Sequence, residues 1–535
     1  MAYTGQIAEI IVGTDGLTGT KNQAIIKPTQ LLLANNITFD SGTMRKEGGK
    51  TAFNSSSIGA SVSILGGYDW IPLAGIQRSI LYGSDGKIYR AADSTYSAIT
   101  TGLTIADDPP VFVEGGGEVA ASNNKLFIFT GKNVVQVIDG DSSVTANITT
   151  PPADWASTNQ PVFGLVHEGT LWGGGNTSDP HRMYYSKITD HEDFSDNNSL
   201  SIFPGEGEKL IGALSYKGLL ICWKKPKGVY VIDTTDPASA NWKIARISDA
   251  VGAASSQSMV LVDNDIVFMD PAGVFHALSA VLEFGNISQK SISDIADLSP
   301  LIREMINLGS TNKTYAVYYP AKREVHFSTP GLGSTSNTVR IVLDLSTLNK
   351  PKFRISDRDT AIALWLKKDS DDIPRLTMGS TNGIVYDMDT ENRSDNGSGY
   401  IGEFQTPHMD LGHLDPSLAA KLKNFDFLEL LVEPSGNWNL SVDVIIDGDT
   451  TQTIQFDMGT SGATLGSFIL AGTDASDVVH EGDKLSESLI LNKKKRILGS
   501  GSRISFKGAN SGDGEDFSVA KFLLHFRIAG ETAGT

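Results

Sequence analysis

A unit made of a short apolar strand, a tight glycine-bearing turn and a second apolar strand recurs along the first three quarters of the chain, and this repeat limits the fold more than any other feature. It appears at Asp85-Gly86-Lys87-Ile88-Tyr89, and at Leu126-Phe127-Ile128-Phe129 turning through Gly131 into Val134-Val135-Gln136-Val137-Ile138. It returns at Leu219-Leu220-Ile221-Cys222-Trp223, turning through Gly228 into Val229-Tyr230-Val231-Ile232, and at Ile266-Val267-Phe268-Met269, turning through Asp270-Pro271-Ala272-Gly273 into Val274-Phe275. Gly86 and Gly131 are 45 residues apart, as are Gly228 and Gly273. A period of roughly 40 to 50 residues with several strands per unit belongs to propeller blades, because a lone four-stranded sheet cannot bury both faces without neighbours. Further turn marks at Gly174, Lys322 and Gly383 extend the pattern to a β-propeller of about six to eight blades.

The chain of 535 residues is too long for one ordinary domain and suits a propeller with satellites. The reading is all-β: an N-terminal extended segment over 1–60 that packs on the propeller or on a neighbouring subunit, the propeller over 61–395, and an antiparallel β-sandwich-like domain over 396–535. In the last region Ser441-Val442-Asp443-Val444-Ile445-Ile446-Asp447 alternates apolar and polar, and Ala520, Phe522, Leu524, Phe526 and Ile528 form one apolar face. Such period-two alternation predicts strands buried mainly on one side. Segments 459–483 and 508–516, rich in Gly, Ser and Asp, read as exposed loops. Within the propeller region, Ser299-Pro300 followed by Leu301-Ile302-Arg303-Glu304-Met305-Ile306 predicts a short helix with Ser299 as its cap and proline at the first helical position.

Charge bounds the partners. A net charge of −18 and a pI near 4.9 argue against a nucleic-acid-binding surface, since phosphate affinity comes from Lys and Arg releasing counterions. The same balance suits a wall past which DNA slides without sticking. Lys493, Lys494, Lys495 and Arg496 form the strongest basic run and read as a solvated loop. No segment has the apolar length of a membrane helix, and Met1-Ala2-Tyr3-Thr4-Gly5 lacks a secretory pattern, so synthesis in a cytoplasm without membrane insertion is expected. Cys222, the one cysteine, lies inside an apolar strand and reads as a buried structural thiol.

Chemistry-bearing patterns are sparse. Gly115-Gly116-Gly117 and Gly173-Gly174-Gly175 lack the Gly-Lys-Ser/Thr ending of a phosphate loop and read as turns. Asp190-His191-Glu192-Asp193 is the densest set of potential metal ligands but has no ligand spacing and reads as a solvated turn. His167, His181, His276, His326, His408, His413, His480 and His525 are scattered without metal-site spacing. No catalytic residues, cofactor-binding residues or metal site are assigned, and the chain is read as a non-enzyme; carboxylates converging at the propeller axis would be the route to a hydrolase. Trp155, Trp172 and Trp242 would serve as glycan platforms if exposed, and as wedges between blades if buried.

Three segments resemble a known family. Asn36, Phe39, Gly42, Arg45 and Gly48 follow the pattern N-x-x-F-x-x-G-x-x-R-x-x-G; Pro180, Arg182 and Ser186, with the acidic turn at Asp190–Asp193 and Phe194, follow a blade segment P-x-R-x-x-x-S; and Gly402-Glu403-Phe404-Gln405-Thr406-Pro407-His408-Met409-Asp410-Leu411-Gly412 is similar to a strand that leaves the propeller. Together they resemble the tail nozzle, or tail tubular protein B type, of short-tailed bacteriophages, although the stretch after Asp410-Leu411-Gly412 carries fewer cations than the family's. The resemblance implies a structural virion protein, a hexameric ring below a tail adaptor ring, contacts with tail fibres or other tail proteins, and a lumen that conducts and gates genome DNA without specific binding. It also implies salt bridges between subunits or domains for Arg45 and Lys46. The alternative is a receptor- or glycan-binding propeller of a tail tip or hub.

Overall fold

A computed structural model describes residues 5–11, 13–20, 25–40, 42–73, 76–116, 124–188, 190–205, 208–279, 292, 298–346, 351–358, 361–459 and 490–531. The expected loop at 459–483 and His480 therefore fall almost wholly outside the described residues. The fold is a β-propeller with a second β unit. The chain divides into residues 50–390 on one side and residues 1–49 with 391–535 on the other.

Residues 50–390 form seven blades of antiparallel strands. The first runs from Ile64–Leu73 through Ile76–Gly83 and Ile88–Ala92 to Thr95–Thr100, and the second from Val111–Gly115 to Ala146–Asn147. The third spans Phe163–His167 to Ser199–Ser201 and the fourth Lys209–Tyr216 to Lys243–Ser248. The fifth has three strands among the described residues, Met259–Val262, Asp265–Met269 and Phe275–Ala277. The sixth runs from Tyr315–Tyr319 through Glu324–Pro330 and Asn337–Asp344 to Lys352–Ser356. The seventh comprises Ala361–Lys368, Pro374–Ser380 and Val385–Thr390, and its outermost strand is Gly49–Ala52, from the opposite end of the repeat. The ring is thus closed by chain that precedes the first blade.

Every blade turns from its second to its third strand through a glycine with positive φ: Gly86, Gly131, Gly175, Gly228, Gly273, Gly333 and Gly383. Five of these are the turn marks read from the sequence, and Gly175 adjoins the sixth at Gly174. Lys322 is out of phase. It lies between the first and second strands of blade six, where a longer turn carries a Lys-Arg pair, and the equivalent of the other marks is Gly333.

Apolar side chains on facing blades close the ring. Trp70, Tyr82 and Ile88 of blade one pack with Leu126 and Ile128 of blade two, and Phe127 and Phe129 of blade two pack with Leu171 and Tyr184 of blade three. Phe163 and Trp172 meet Leu210 and Tyr230 of blade four, and Trp223 meets Phe268 of blade five. Phe275 then packs, tilted, 4.6 Å from Phe327 of blade six, and Tyr315, Leu364, Trp365, Ile64 and Leu81 join blades six, seven and one. Gly164 and Gly67 allow close approach between blades: a Cβ at either would lie 2.3 Å from the Phe129 ring and 2.5 Å from the Trp365 ring, respectively.

The helix is observed at Ser299–Met305, but its cap is Leu298, without a side-chain hydrogen bond. Ser299 is the first residue of the helix, which shifts the predicted boundary by one residue.

In the second unit, Gln6–Ile11, Ile37–Asp40 and Thr43–Lys46 join Ser518–Glu531, Lys421–Val432 and Leu491–Gly501 in one sheet. Leu33–Asn35, Gly402–Gln405, Ile504–Asn510, Asn439–Ile446 and Asp449–Asp457 lie side by side in a second. Phe404 and Phe506 of the second sheet pack at 6.1 and 5.5 Å on Phe522 of the first. Residues 1–49 are thus strands of this unit, where the sequence suggested a separate extended segment over 1–60. Phe522, Leu524 and Phe526 are buried as expected, but Ile528 is 42% exposed, because the pairing with Lys421–Val432 shifts register between Leu422 and Lys423. Lys493–Arg496 is likewise in a strand, not a loop: buried Ile497 anchors it, and the Lys493 Nζ donates to the Gly459 carbonyl at 2.6 Å. The expected loop 508–516 begins as the end of strand Ile504–Asn510 and finishes in the buried Asp516.

Closure of the ring gives a direct test. Asn54, 2% exposed, donates to the Gly383 carbonyl at 3.2 Å and accepts from the Val385 amide at 2.7 Å. Asn54→Ala removes the acceptor of the Val385 amide, while the Gly383 carbonyl keeps the Ile58 amide at 3.1 Å; chemical denaturation is expected to show a loss of about 1–3 kcal/mol.

Candidate functional site

The axis of the propeller is the natural place for a site, and here one mouth is bridged. The linkers between blades and the second-to-third turns share one face of the ring, because the four strands alternate in direction. On that face Ser256 Oγ and Gln257 Nε2 donate to the carbonyls of Pro109 and Pro110 at 3.3 and 3.1 Å. Asn312 Nδ2 reaches Asp108 Oδ1 at 3.0 Å. The linker entering blade two is thereby tied to those entering blades five and six. Deeper in, the Tyr68 ring stacks 5.8 Å from Phe112 and its hydroxyl donates to Glu114 at 3.0 Å.

Among the described residues, the innermost-strand carboxylates Asp69 and Glu114 are engaged in structure. Glu114 holds Tyr68. Asp69 accepts twice from Gln77 Nε2, at 2.9 and 2.8 Å, and from the Lys368 amide at 2.9 Å, which staples blade one to blade seven. Burial raises the Asp69 pKa against these hydrogen bonds. Asp69 and Gln77, with Phe53, Ile76, Asp93 and Lys367, line a cavity of about 440 Å³ between these blades. Lys367 is held there by Asp387 at 2.8 Å and by the face of Phe53 at 3.5 Å.

The cluster Asp190–Asp193 is a tie between blades two and three. Glu192 binds Lys125 at 2.5 Å and accepts from the Thr149 amide at 3.0 Å, and Asp190 accepts from the Glu192 amide. His191 Nδ1 accepts from the Gly116 amide at 3.0 Å, and its other nitrogen meets the Gly169 carbonyl. Hydrogen bonds from Ser195 and Lys187 hold the Asp193 carboxyl down at about 2. Among the described residues no group of three His, Cys, Asp or Glu is arranged to hold a metal.

The remaining singled-out residues also serve packing. Trp155 and Trp172, 3% and 1% exposed, sit in the cores between blades two and three and between blades three and four, and half-buried Trp242 stacks 5.5 Å from Trp172. His167 bridges blades three and four through Ser215 at 2.8 Å and Thr234 at 2.7 Å. His276 meets Asp270 at 3.0 Å, and His525 meets Glu429 at 2.8 Å. Cys222 is fully buried 3.5 Å from the Met183 sulfur, and burial pushes its thiol pKa up. Arg45 and Lys46, expected at an interdomain or intersubunit contact, pair inside their own unit. Arg45 binds Asp516 at 3.3 Å, while Lys46 Nζ donates to Asn510 Oδ1 and the Gly512 carbonyl and lies 4.3 Å over Tyr400. Asp516, a residue that a Gly-rich stretch disguised in the sequence, also binds Arg393 at 3.3 Å.

The densest buried charge is one that the sequence did not single out. In blade six, Arg354 Nη2 donates to Glu324 at 2.8 Å, Glu324 lies 3.1 Å from His326 Nε2, and Arg340 Nη1 donates to His326 Nδ1 at 2.9 Å. Alternate positions on neighbouring strands bring these side chains together, since cross-strand partners share a face. An arginine donating to Nδ1 leaves the proton on Nε2, toward Glu324. His326 is thus neutral, its pKa lowered by burial and by the arginines against the pull of Glu324. Burial would raise the Glu324 carboxyl, but Arg354, with His326, holds it well below the usual range.

No family model matches the chain, and no curated protein matches it. Solved structures do. The chain is similar to YCF48 bound to D1 peptide, at 12% identity over 63% of this chain and 94% of that one, with a TM-score of 0.37. It is similar to BamB from Moraxella catarrhalis, at 12% over 65% and 94%, TM-score 0.36, and to BBS1N in complex with ARL6DN, at 10% over 67% and 98%, TM-score 0.41. The propeller itself rests on the strand pairing above. No helix among the described residues is long and apolar enough to cross a membrane.

Both blade-six groups are depressed, so each favours folding above its unfolded pKa and loses that contribution as pH falls. Stability is expected to drop first as pH passes below about 6.5, where unfolded histidine takes a proton that folded His326 refuses, and again below about 4.3 through Glu324. His167, His191, His408 and His413, also lowered by burial, share the first stage. His326→Gln should reduce the slope of that stage by up to about 1.4 kcal/mol per pH unit and leave the second in place, as read by denaturation at stepped pH.

Proposed function

We propose that this chain is a structural virion protein, the nozzle of a short phage tail, in which six copies form a ring below an adaptor ring and enclose the path of the genome. The observation that carries this reading is where the three resembling segments lie. Asn36 Nδ2 donates to the Ile401 carbonyl at 2.8 Å, Phe39 packs over Gly13, Gly42 has a φ of +84°, and Arg45 binds Asp516. The Pro180 carbonyl accepts from the Leu210 amide at 2.8 Å, joining blade three to blade four, and Arg182 and Tyr184 share Asp154. Gly402–Gln405 lies in the interior of the second sheet. The residues that the resemblance picks out therefore do architectural work, which supports a ring-forming structural protein.

Charge supports the same reading. The net charge of −18 suits a surface that repels passing phosphates, and DNA would run through a lumen built by several subunits, because linkers tied to one another bridge one mouth of the propeller's own axis. In this proposal the chain has no enzymatic role and resides in the tail of the particle.

Cryo-electron microscopy of purified particles is the test. A six-fold ring of this chain at the distal end of a short tail is the expected result; single copies or trimers projecting outward would overturn it in favour of a receptor-binding propeller.

A further inference from the structure

Blade four carries a like-charge pair with no carboxylate in ion-pair range among the described residues. Lys209 opens the innermost strand and Lys225 ends the next, and the antiparallel register sets the two directly opposite each other. Like charges facing across a ladder are destabilising. Neither ammonium group has a carboxylate within 4.0 Å among the described residues, the range that pairs Lys132 with Asp107 at 2.7 Å nearby. Lys225 Nζ donates to the Ala254 carbonyl at 2.9 Å, and Lys209 Nζ makes no hydrogen bond among the described residues. Burial lowers both pKa values, and the one carboxylate whose field opposes this in both cases is Asp108, in the linker that bridges the axis.

We propose that the bridged mouth of the propeller axis, beside blade four, is a binding site for a carboxylate side chain of a partner protein, received between the Lys209 and Lys225 ammonium groups. The charge count sets the ligand class. Among the described residues, the two cations and Asp108 leave a single positive charge, which one monoanion neutralises. A nucleic acid would bring a row of phosphates past Asp107, three-quarters exposed on the same face, whereas a carboxylate brings one charge. The site stands on blade geometry and does not depend on the nozzle reading.

The test uses the full chain at constant ionic strength, with N-acetylglutamate α-amide as probe and the isosteric N-acetylglutamine amide as control. The glutamate probe is expected to raise the melting temperature and, at twice its Kd, to slow acetylation of Lys209 and Lys225, read by peptide mass spectrometry, about threefold. Lys209→Met should melt higher than the parent without probe, because the facing charge is gone, and should lose the response. Should that variant fold poorly, Lys225→Met and the protection of the parent's lysines decide instead. Equal effects of the two probes, no protection, or an undiminished response in both variants would overturn the proposal. Protection by a single-stranded oligonucleotide but not by the glutamate probe would overturn the carboxylate assignment.

Discussion

A blade has two apolar faces, and the whole propeller depends on every one being covered, which is possible only if the last blade meets the first. Here that closure is made by one short strand, Gly49–Ala52, added to the outer edge of blade seven. Its consequence reaches beyond the ring. Chain entering and chain leaving the propeller run next to each other, so that the Gly49 amide bonds to the Asn392 carbonyl at 2.9 Å. The segments on either side, 1–49 and 391–535, are brought together by this geometry and fold as one unit. A discontinuous domain follows from the closure of a continuous one.

The polar groups inside both units act as fasteners. Asp69 and Gln77 hold blade one to blade seven, Glu192 and His191 hold blade three to blade two, and His167 holds blade four to blade three. Each places hydrogen-bonding groups where two sheets meet, and there an unmade bond is expensive. That cost explains why carboxylates and histidines that look available in the sequence are committed in the fold. Lys209 and Lys225, half-buried, differ in that they face each other across a ladder with no carboxylate within 4.0 Å among the described residues, and a facing pair of cations is relieved by an anion.

Much of the architecture was legible from periodicity. A positive-φ glycine after the second strand of each blade is needed wherever the chain must reverse tightly, so turn glycines marked the repeat at Gly86, Gly131, Gly228, Gly273 and Gly383. Lys322 misled because a longer turn with basic residues resembles the same punctuation. The period-two strands of the second unit were equally plain, up to the bulge beside Lys423 that turns Ile528 outward. The blade-six network was not legible, since Glu324, His326, Arg340 and Arg354 are up to 30 positions apart and carry no motif.

The sequence by itself determined the repeat, the strand character and the acidic balance, because these depend on local alternation and on composition. Only the tertiary structure decided that there are seven blades, that residues 1–49 belong with the far end of the chain, and which charges meet. Those outcomes depend on long-range pairing, where the partner of Arg45 is Asp516 and that of Gly49 is Asn392. No local pattern encodes such distances; they arise when a closed ring leaves each face and each edge a single place to be buried.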